Sequence, residues 1–173
     1  MSHFVYYHGP MNIQGARNLE TLLTKAASHD APDITLCICS GGGDVCAGIG
    51  TYNFIKMLPV PVTTYAFGMC GSIAATIFLA GESRLSASAN LFILHAASYV
   101  DGPRKGEVSE NTELISLPFR QLLAWQDDRI AKYFGSPIEQ FITPQQAMEM
   151  SIVTEIKDIK VSAADEVVHV HIP

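Results

Sequence analysis

Two glycine-rich turns constrain this chain more than any other feature. Ser40-Gly41-Gly42-Gly43 follows an apolar run over 34–39, and Gly68-Met69-Cys70-Gly71-Ser72 follows another over 62–66; each opens into a helical pattern. A strand that leaves through glycine into a helix, twice in succession, predicts a parallel sheet. The helix must cross one face before the next strand can lie beside the last. The expected class is therefore α/β with right-handed crossovers.

The remaining pattern agrees. Residues 4–7 form a short β-branched and aromatic run closed by Gly9-Pro10. Ile13, Ala16, Leu19, Leu23 and Ala26 recur at three- and four-residue steps, which predicts a helix over 12–28. After the first glycine turn, Asp44 is placed to cap a helix that runs through Tyr52 and Ile55 to Leu58 and stops at Pro59 and Pro61. A small-residue helix is expected over 72–80, then a short buried strand at 91–94 with His95 where the chain leaves the sheet. Residues 98–106 read as a loop, and helices over 108–116 and 118–134 are expected to be split by Pro118. The second of these carries Phe119, Leu122, Leu123, Trp125 and Ile130. Thr143-Pro144-Gln145-Gln146 has the form of a capping box and marks a helix to about 151, followed by a strand at 153–156. Residues 167–172, with His169 and His171 on one face, predict an edge strand or ordered tail.

At 173 residues, with neither repeats nor low-complexity segments, one domain over 1–173 accommodates all of this. Apolar residues are 48% and charged residues 16%, a balance that excludes disorder and favours self-association. A formal charge of −6 argues against nucleic acid as a partner. No apolar run reaches the roughly 18 residues of a spanning helix, and the first residues lack a secretory pattern, so a cytoplasmic protein without membrane contact is expected. Cys37, Cys39, Cys46 and Cys70 lie in apolar segments without C-x-x-C spacing, which predicts neither a metal site nor a disulfide.

The two turns also suggest chemistry. Each exposes backbone amides at a helix start, and amides converging from both can hold an oxyanion, although glycines serve tight turns equally well. Neither turn has a phosphate-binding pattern. Ser72 at a helix start and His95 at a strand end read individually as a cap and a partnered polar residue; it is their conjunction that carries weight.

At these residues the chain resembles the Clp protease proteolytic subunit family, within the crotonase-like fold group. Residues 38–45, Ile-Cys-Ser-Gly-Gly-Gly-Asp-Val, line up with the family's Asn-Ser-Pro-Gly-Gly turn, and Ala47-Gly48 and Tyr52 follow at its spacing. Residues 68–75 line up with its Gly-x-Ala-Ala-Ser-Met-Gly-Ala segment, and Leu94-His95 with its Ile-His-Gln-Pro segment. The resemblance implies repeated ββα units with a helical handle region after His95. It implies Ser72 as nucleophile, His95 as general base, and the Gly42 and Ile73 amides as oxyanion donors. It places the triad acid at Glu139, with Asp127, Asp128 or no acid as alternatives, because residues 135–141 are shorter than the family pattern. Gly41 replaces the turn proline, and Ala96-Ala97 replace Gln-Pro. The implied activity is that of a serine endopeptidase acting on peptide or unfolded protein without a cofactor, in homo-oligomeric rings (a heptamer or double heptamer). An AAA+ unfoldase is the family's partner; the first strand begins at Phe4, leaving little of the N-terminal segment that meets it. The alternatives are a non-cleaving structural subunit, a crotonase-type acyl-CoA enzyme and, more remotely, a Ser/Lys dyad.

Overall fold

The computed structural model describes residues 2–28 and 32–172. Its elements are β1 (His3–His8), α1 (Ile13–Ser28), β2 (Ile34–Ser40), α2 (Val45–Met57), β3 (Val62–Gly71), α3 (Ile73–Phe78), β4 (Ser83–Ser86), β5 (Leu91–Leu94), α4 (Asn111–Leu123), α5 (Asp127–Phe134), β6 (Gln140–Ile142), α6 (Pro144–Glu149), β7 (Glu155–Ile156) and β8 (Glu166–His169). The strands form one eight-stranded sheet with the path β6-β5-β3-β2-β1-β8, and β4 pairs with both β3 and β7. Every pairing is parallel except β5 with β6. The α/β class read from the glycine turns is the class observed.

Alternation along the strands divides the core. Val5, Tyr7, Leu36 and Ile38 face a large apolar cluster shared with α1 to α5, while Phe4, Cys37 and Tyr65 face a smaller one on the other side. On α1 the stripe holds at Ala16, Leu19, Leu23 and Ala26, but Ile13 at the first position is 59% exposed. Asp44 caps α2 through its carboxylate, which accepts from the Ala47 N–H at 2.8 Å. Thr143 and Gln146 close the expected capping box.

Strand β3 is longer than its sequence predicts and serves two neighbours. Its first half pairs with β2 and β4; then the register slips, with Ile38 opposite Ala66 but Ser40 opposite Cys70, and residues 69–71 pair with β5. Phe67, Gly68 and Met69 thus lie against a single residue of β2, a bulge that bends the strand toward β5. The segments Ser83–Ser86 and Gln140–Ile142, expected as neither strand nor helix, are β4 and β6; at four and three residues they are too short to show periodicity.

Pro118 does not split the handle region. One helix, α4, runs through it, because Ile115, Pro118 and Phe119 are all buried, and their packing outweighs one lost main-chain bond. The break falls instead at Ala124, in the left-handed conformation at φ 53°, where the Trp125 N–H donates to the Phe119 carbonyl. The helix expected from residue 108 starts at Asn111, since Val108 forms a bridge with Ser98. Among the described residues, no helix is long and apolar enough to cross a membrane.

After β7 the chain crosses the helix-free face of the sheet. The Lys157 N–H donates to the Ser86 carbonyl, the Asp158 carboxylate accepts from the Ser88 N–H and hydroxyl, and Ile159 packs with Phe4, Cys37 and Tyr65. Asp165 accepts from the Ser2 N–H at 2.9 Å, and β8 then lies along β1 as an edge strand, with His169 stacked on Tyr6. Its expected span of 167–172 is shortened to Glu166–His169.

Two carboxylates therefore fasten this segment. Hydrogen bonds from Ser88 hold the Asp158 carboxyl below its ordinary range, and bonds from Ser2 and Ser162 do the same for Asp165. A carboxylate whose folded pKa is depressed contributes stability above its unfolded pKa and loses it as pH falls through the folded one. The protection of amides in residues 157–170, relative to their intrinsic exchange at each pH, is accordingly expected to fall on acidification before that of α4 does. An equal fall in both would contradict this.

Candidate active site

The slip in β3 carries the chain to Ser72 in a conformation few non-glycine residues adopt, φ 53° and ψ −129°. The Ser72 N–H donates to the Ile93 carbonyl at 2.7 Å, so the end of β5 holds the residue in place. Such strain at a half-buried hydroxyl persists only where its surroundings over-determine it, and it is characteristic of functional positions.

The two glycine turns meet here. A Cβ added to Gly42, whose φ is +103°, would lie 2.6 Å from Ser72 Cβ, 2.9 Å from the Gly71 carbonyl and 3.3 Å from the Ile73 nitrogen. Gly43, at φ +147°, is bound by Met11: a Cβ there would lie 2.1 Å from the Met11 carbonyl, which already accepts from the Asp44 N–H at 2.8 Å. Only glycine fits at either position. The Ile73 N–H, at the first position of α3, has no acceptor among the described residues. The Gly42 N–H does have one: it donates to the buried Ser40 hydroxyl at 3.1 Å.

His95 follows β5 on the strand next to Ser72 and is half-buried. Its Nδ1 lies 2.8 Å from the carbonyl of Ala96. No hydrogen bond joins its ring to Ser72 Oγ in this structure.

The three carboxylates considered as triad acids are not bonded to that ring. Leu94 pairs with Gln140, but the Ala96 N–H donates to Ser136, so residues 136–140 span what 94–96 span on the other side. The extra residues bulge outward, leaving Ile138 and Glu139 exposed. Asp127 begins α5 and pairs with Arg120 at 2.5 Å, and Asp128 is exposed beside it.

Ser40 and the Ala96 carbonyl are the participants that residue patterns did not identify. A serine two positions before a glycine is a recognisable turn-former, which would have found Ser40; a main-chain acceptor carries no sequence signal. The cysteines pack. Burial pushes the Cys37 thiol up to about 12 and raises that of Cys70 as well, leaving both unreactive at neutral pH.

Comparison with known proteins follows the same lines. The profile of the family described as Clp protease matches residues 2–160. ATP-dependent Clp protease proteolytic subunit 1 of Corynebacterium jeikeium (strain K411) is 26% identical over 146 residues, 78% of this chain and 76% of that protein. Subunit 3 of Rhodococcus jostii (strain RHA1) is 26% identical over 151 residues, 81% and 73% respectively. Among solved structures, ClpP1 from Listeria monocytogenes superimposes with a TM-score of 0.79 at 24% identity, covering 91% of this chain and 92% of that one. The ClpP protease catalytic domain from Plasmodium falciparum gives 0.77 at 19%, covering 94% and 88%. Both establish a shared fold.

Gly42→Ala tests the meeting of the turns. The added methyl must displace Ser72, so the variant is expected to lose at least about 1 kcal/mol of stability from its left-handed backbone alone. It should also lose any reactivity of Ser72 toward an electrophilic phosphonate. Unchanged reactivity would show that the turns are not coupled.

Proposed function

Because the chain belongs to the Clp protease family, we propose that it is a serine endopeptidase whose nucleophile is Ser72 and whose general base is His95. The observation that carries this reading is the approach of Gly42 to Ser72 and the Ile73 nitrogen, which sets two amide-bearing turns around one strained hydroxyl.

The chemistry follows from those groups. Ser72 Oγ attacks a peptide carbonyl while His95 Nε2 takes its proton, and the carbonyl π pair moves onto oxygen. The amides of Gly42 and Ile73 hold that oxyanion, Gly42 exchanging the Ser40 hydroxyl for it. Each such donor is worth about 10²–10³ in turnover. The C–N bond then breaks, His95 passes its proton to the amine, and water repeats the sequence on the acyl-enzyme. Glu139 serves as the acid only if the 136–140 bulge draws in on assembly or substrate binding.

A second reading, a non-cleaving structural subunit, is favoured by one set of facts. The Gly42 amide is occupied by the Ser40 hydroxyl, and among the described residues no carboxylate is bonded to His95 and no bond links His95 to Ser72. The two readings differ in a single experiment below.

Assembly belongs to the same proposal. On α4 the apolar residues at 114, 115, 117, 118, 119 and 122 cover an arc of about 200°, about twice the stripe that one core contact needs. Leu114, Leu117 and Leu122 are consequently 39%, 43% and 43% exposed. Burying the exposed part of each against a second copy is worth about 0.6–1.2 kcal/mol, which supports self-assembly; rings of seven, single or stacked, are the form the family resemblance implies. Peptides or unfolded chains are the substrates, and an AAA+ unfoldase is the ATP-dependent partner suggested by the names of the relatives. Four free thiols support a reducing cytoplasmic setting.

A fluorophosphonate probe is expected to label the assembled wild-type chain at Ser72 and to leave Ser72→Ala unlabelled. His95→Ala should slow hydrolysis of a fluorogenic peptide by about 10⁶, as loss of the base does in a comparable triad. Wild type and Ser72→Ala behaving identically would select the non-cleaving subunit. Replacing Leu114, Leu117 and Leu122 with Asp should reduce the sedimenting species to single copies; retention of the large species would remove α4 as the assembly surface.

A further inference from the structure

The family's chemistry needs something to hold the base, and the carboxylates considered for the task are elsewhere. Glu139 is exposed on the 136–140 bulge, Asp127 is paired with Arg120, and Asp128 is exposed on α5. Yet His95 Nδ1 has a partner at 2.8 Å, the carbonyl of Ala96.

That contact has one chemical meaning. A carbonyl oxygen only accepts, so Nδ1 carries the hydrogen and the lone pair stands on Nε2, the form a general base for a serine hydroxyl requires. We propose that the main-chain carbonyl of Ala96 is a positioning group that sets the His95 tautomer in place of a triad acid. This assignment rests on the peptidase reading for its purpose, but not for its geometry.

The contact is built rather than incidental. Ala96 has no exposed surface, and its N–H is fixed by the Ser136 carbonyl at 2.8 Å. The Ala97 carbonyl is fixed in turn by the Ser109 N–H at 2.8 Å and the Thr112 hydroxyl at 3.3 Å. The peptide between these anchors cannot rotate freely. Among the described residues, the ring of His95 is the one donor that reaches the Ala96 oxygen. Breaking the bond would strand a buried carbonyl as well as the ring, so each group holds the other.

The aspartate of a Ser-His-Asp triad does two things: it fixes the tautomer, and its charge steadies the imidazolium formed in the reaction. A carbonyl can do the first and supplies only a dipole toward the second. In the resulting dyad, Nε2 takes the proton of Ser72 Oγ as the Oγ–C bond forms and later delivers it to the leaving amine. The Nδ1–H stays on the Ala96 oxygen throughout and is never transferred. Such a site works more slowly than a full triad, but it does not depend on a carboxylate near the base.

Two measurements decide it. The first is ¹⁵N NMR of the assembled Ser72→Ala chain with labelled histidine, assigned by comparison with His95→Gln. It should show His95 as the Nδ1–H tautomer, unchanged by Glu139→Gln. An Nε2–H tautomer, or a change of tautomer on Glu139→Gln, would overturn the assignment whatever the activity. The second is the rate of fluorophosphonate labelling, expected to be the same for wild type, Glu139→Gln, Asp127→Asn and Asp128→Asn. A loss approaching the roughly 10⁴ that a miss-set histidine costs, in any one of them, would mean that a carboxylate holds the base after all. A wild-type chain that is never labelled, but whose His95 is the Nδ1–H form, would remove the peptidase reading and leave the tautomer assignment standing.

Discussion

The slip between β2 and β3 is the constraint on which the site depends. Three residues of β3 lie against one of β2, and the strand turns from one set of neighbours to another. Without that bulge β3 would continue beside β2 and never reach β5, and the Ser72 N–H would have no Ile93 carbonyl to bond. The strained backbone at Ser72 is affordable because both sides of the residue are fixed, by β5 before it and by α3 after it. The same turn brings Gly71 beside Gly41, so that the two glycine turns pack as a pair. Strand pairing, helix start and candidate oxyanion amides are thus one geometric decision.

Local chemistry made much of this legible. The Asp44 cap, the capping box at Thr143 and the exits through glycine all involve residues whose function is settled within three or four positions of themselves. Ser72 and His95 could be singled out for the same reason: each stands at the point where a strand ends. What the sequence did not reveal depends on distant partners. β4 and β6 are strands because neighbours offer them hydrogen bonds, and three or four residues carry no period of their own. Pro118 breaks an isolated helix but not one pressed into a core beside Ile115 and Phe119.

Glu139 illustrates the boundary most sharply. Its position just before β6 follows from the pattern around Phe141, and carrying the β5–β6 register one residue further would set it opposite His95. The Ala96–Ser136 bond interrupts that register and leaves Glu139 in solvent. Whether a carboxylate reaches a base across an antiparallel pair is decided by a bulge of two residues, and the sequence does not announce which strand will bulge.

The second face of the sheet adds a different kind of constraint. Helices cover one side only, and an apolar face with Phe4, Cys37, Tyr65 and Phe67 cannot be left bare in water without cost. The chain covers part of it with its own residues 157–165, an irregular segment whose backbone polar groups must find partners outside any helix. The Ser86 carbonyl accepts from the Lys157 N–H, the Asp158 and Asp165 carboxylates add bonds from Ser88 and Ser2, and β8 closes the edge of β1 that would otherwise offer unpaired main-chain groups to another strand. Residues 161–172 lie beyond the part of the chain that the family profile matches. The covering of this second face is built from polar fastenings rather than a packed layer, and so it is the weaker of the two.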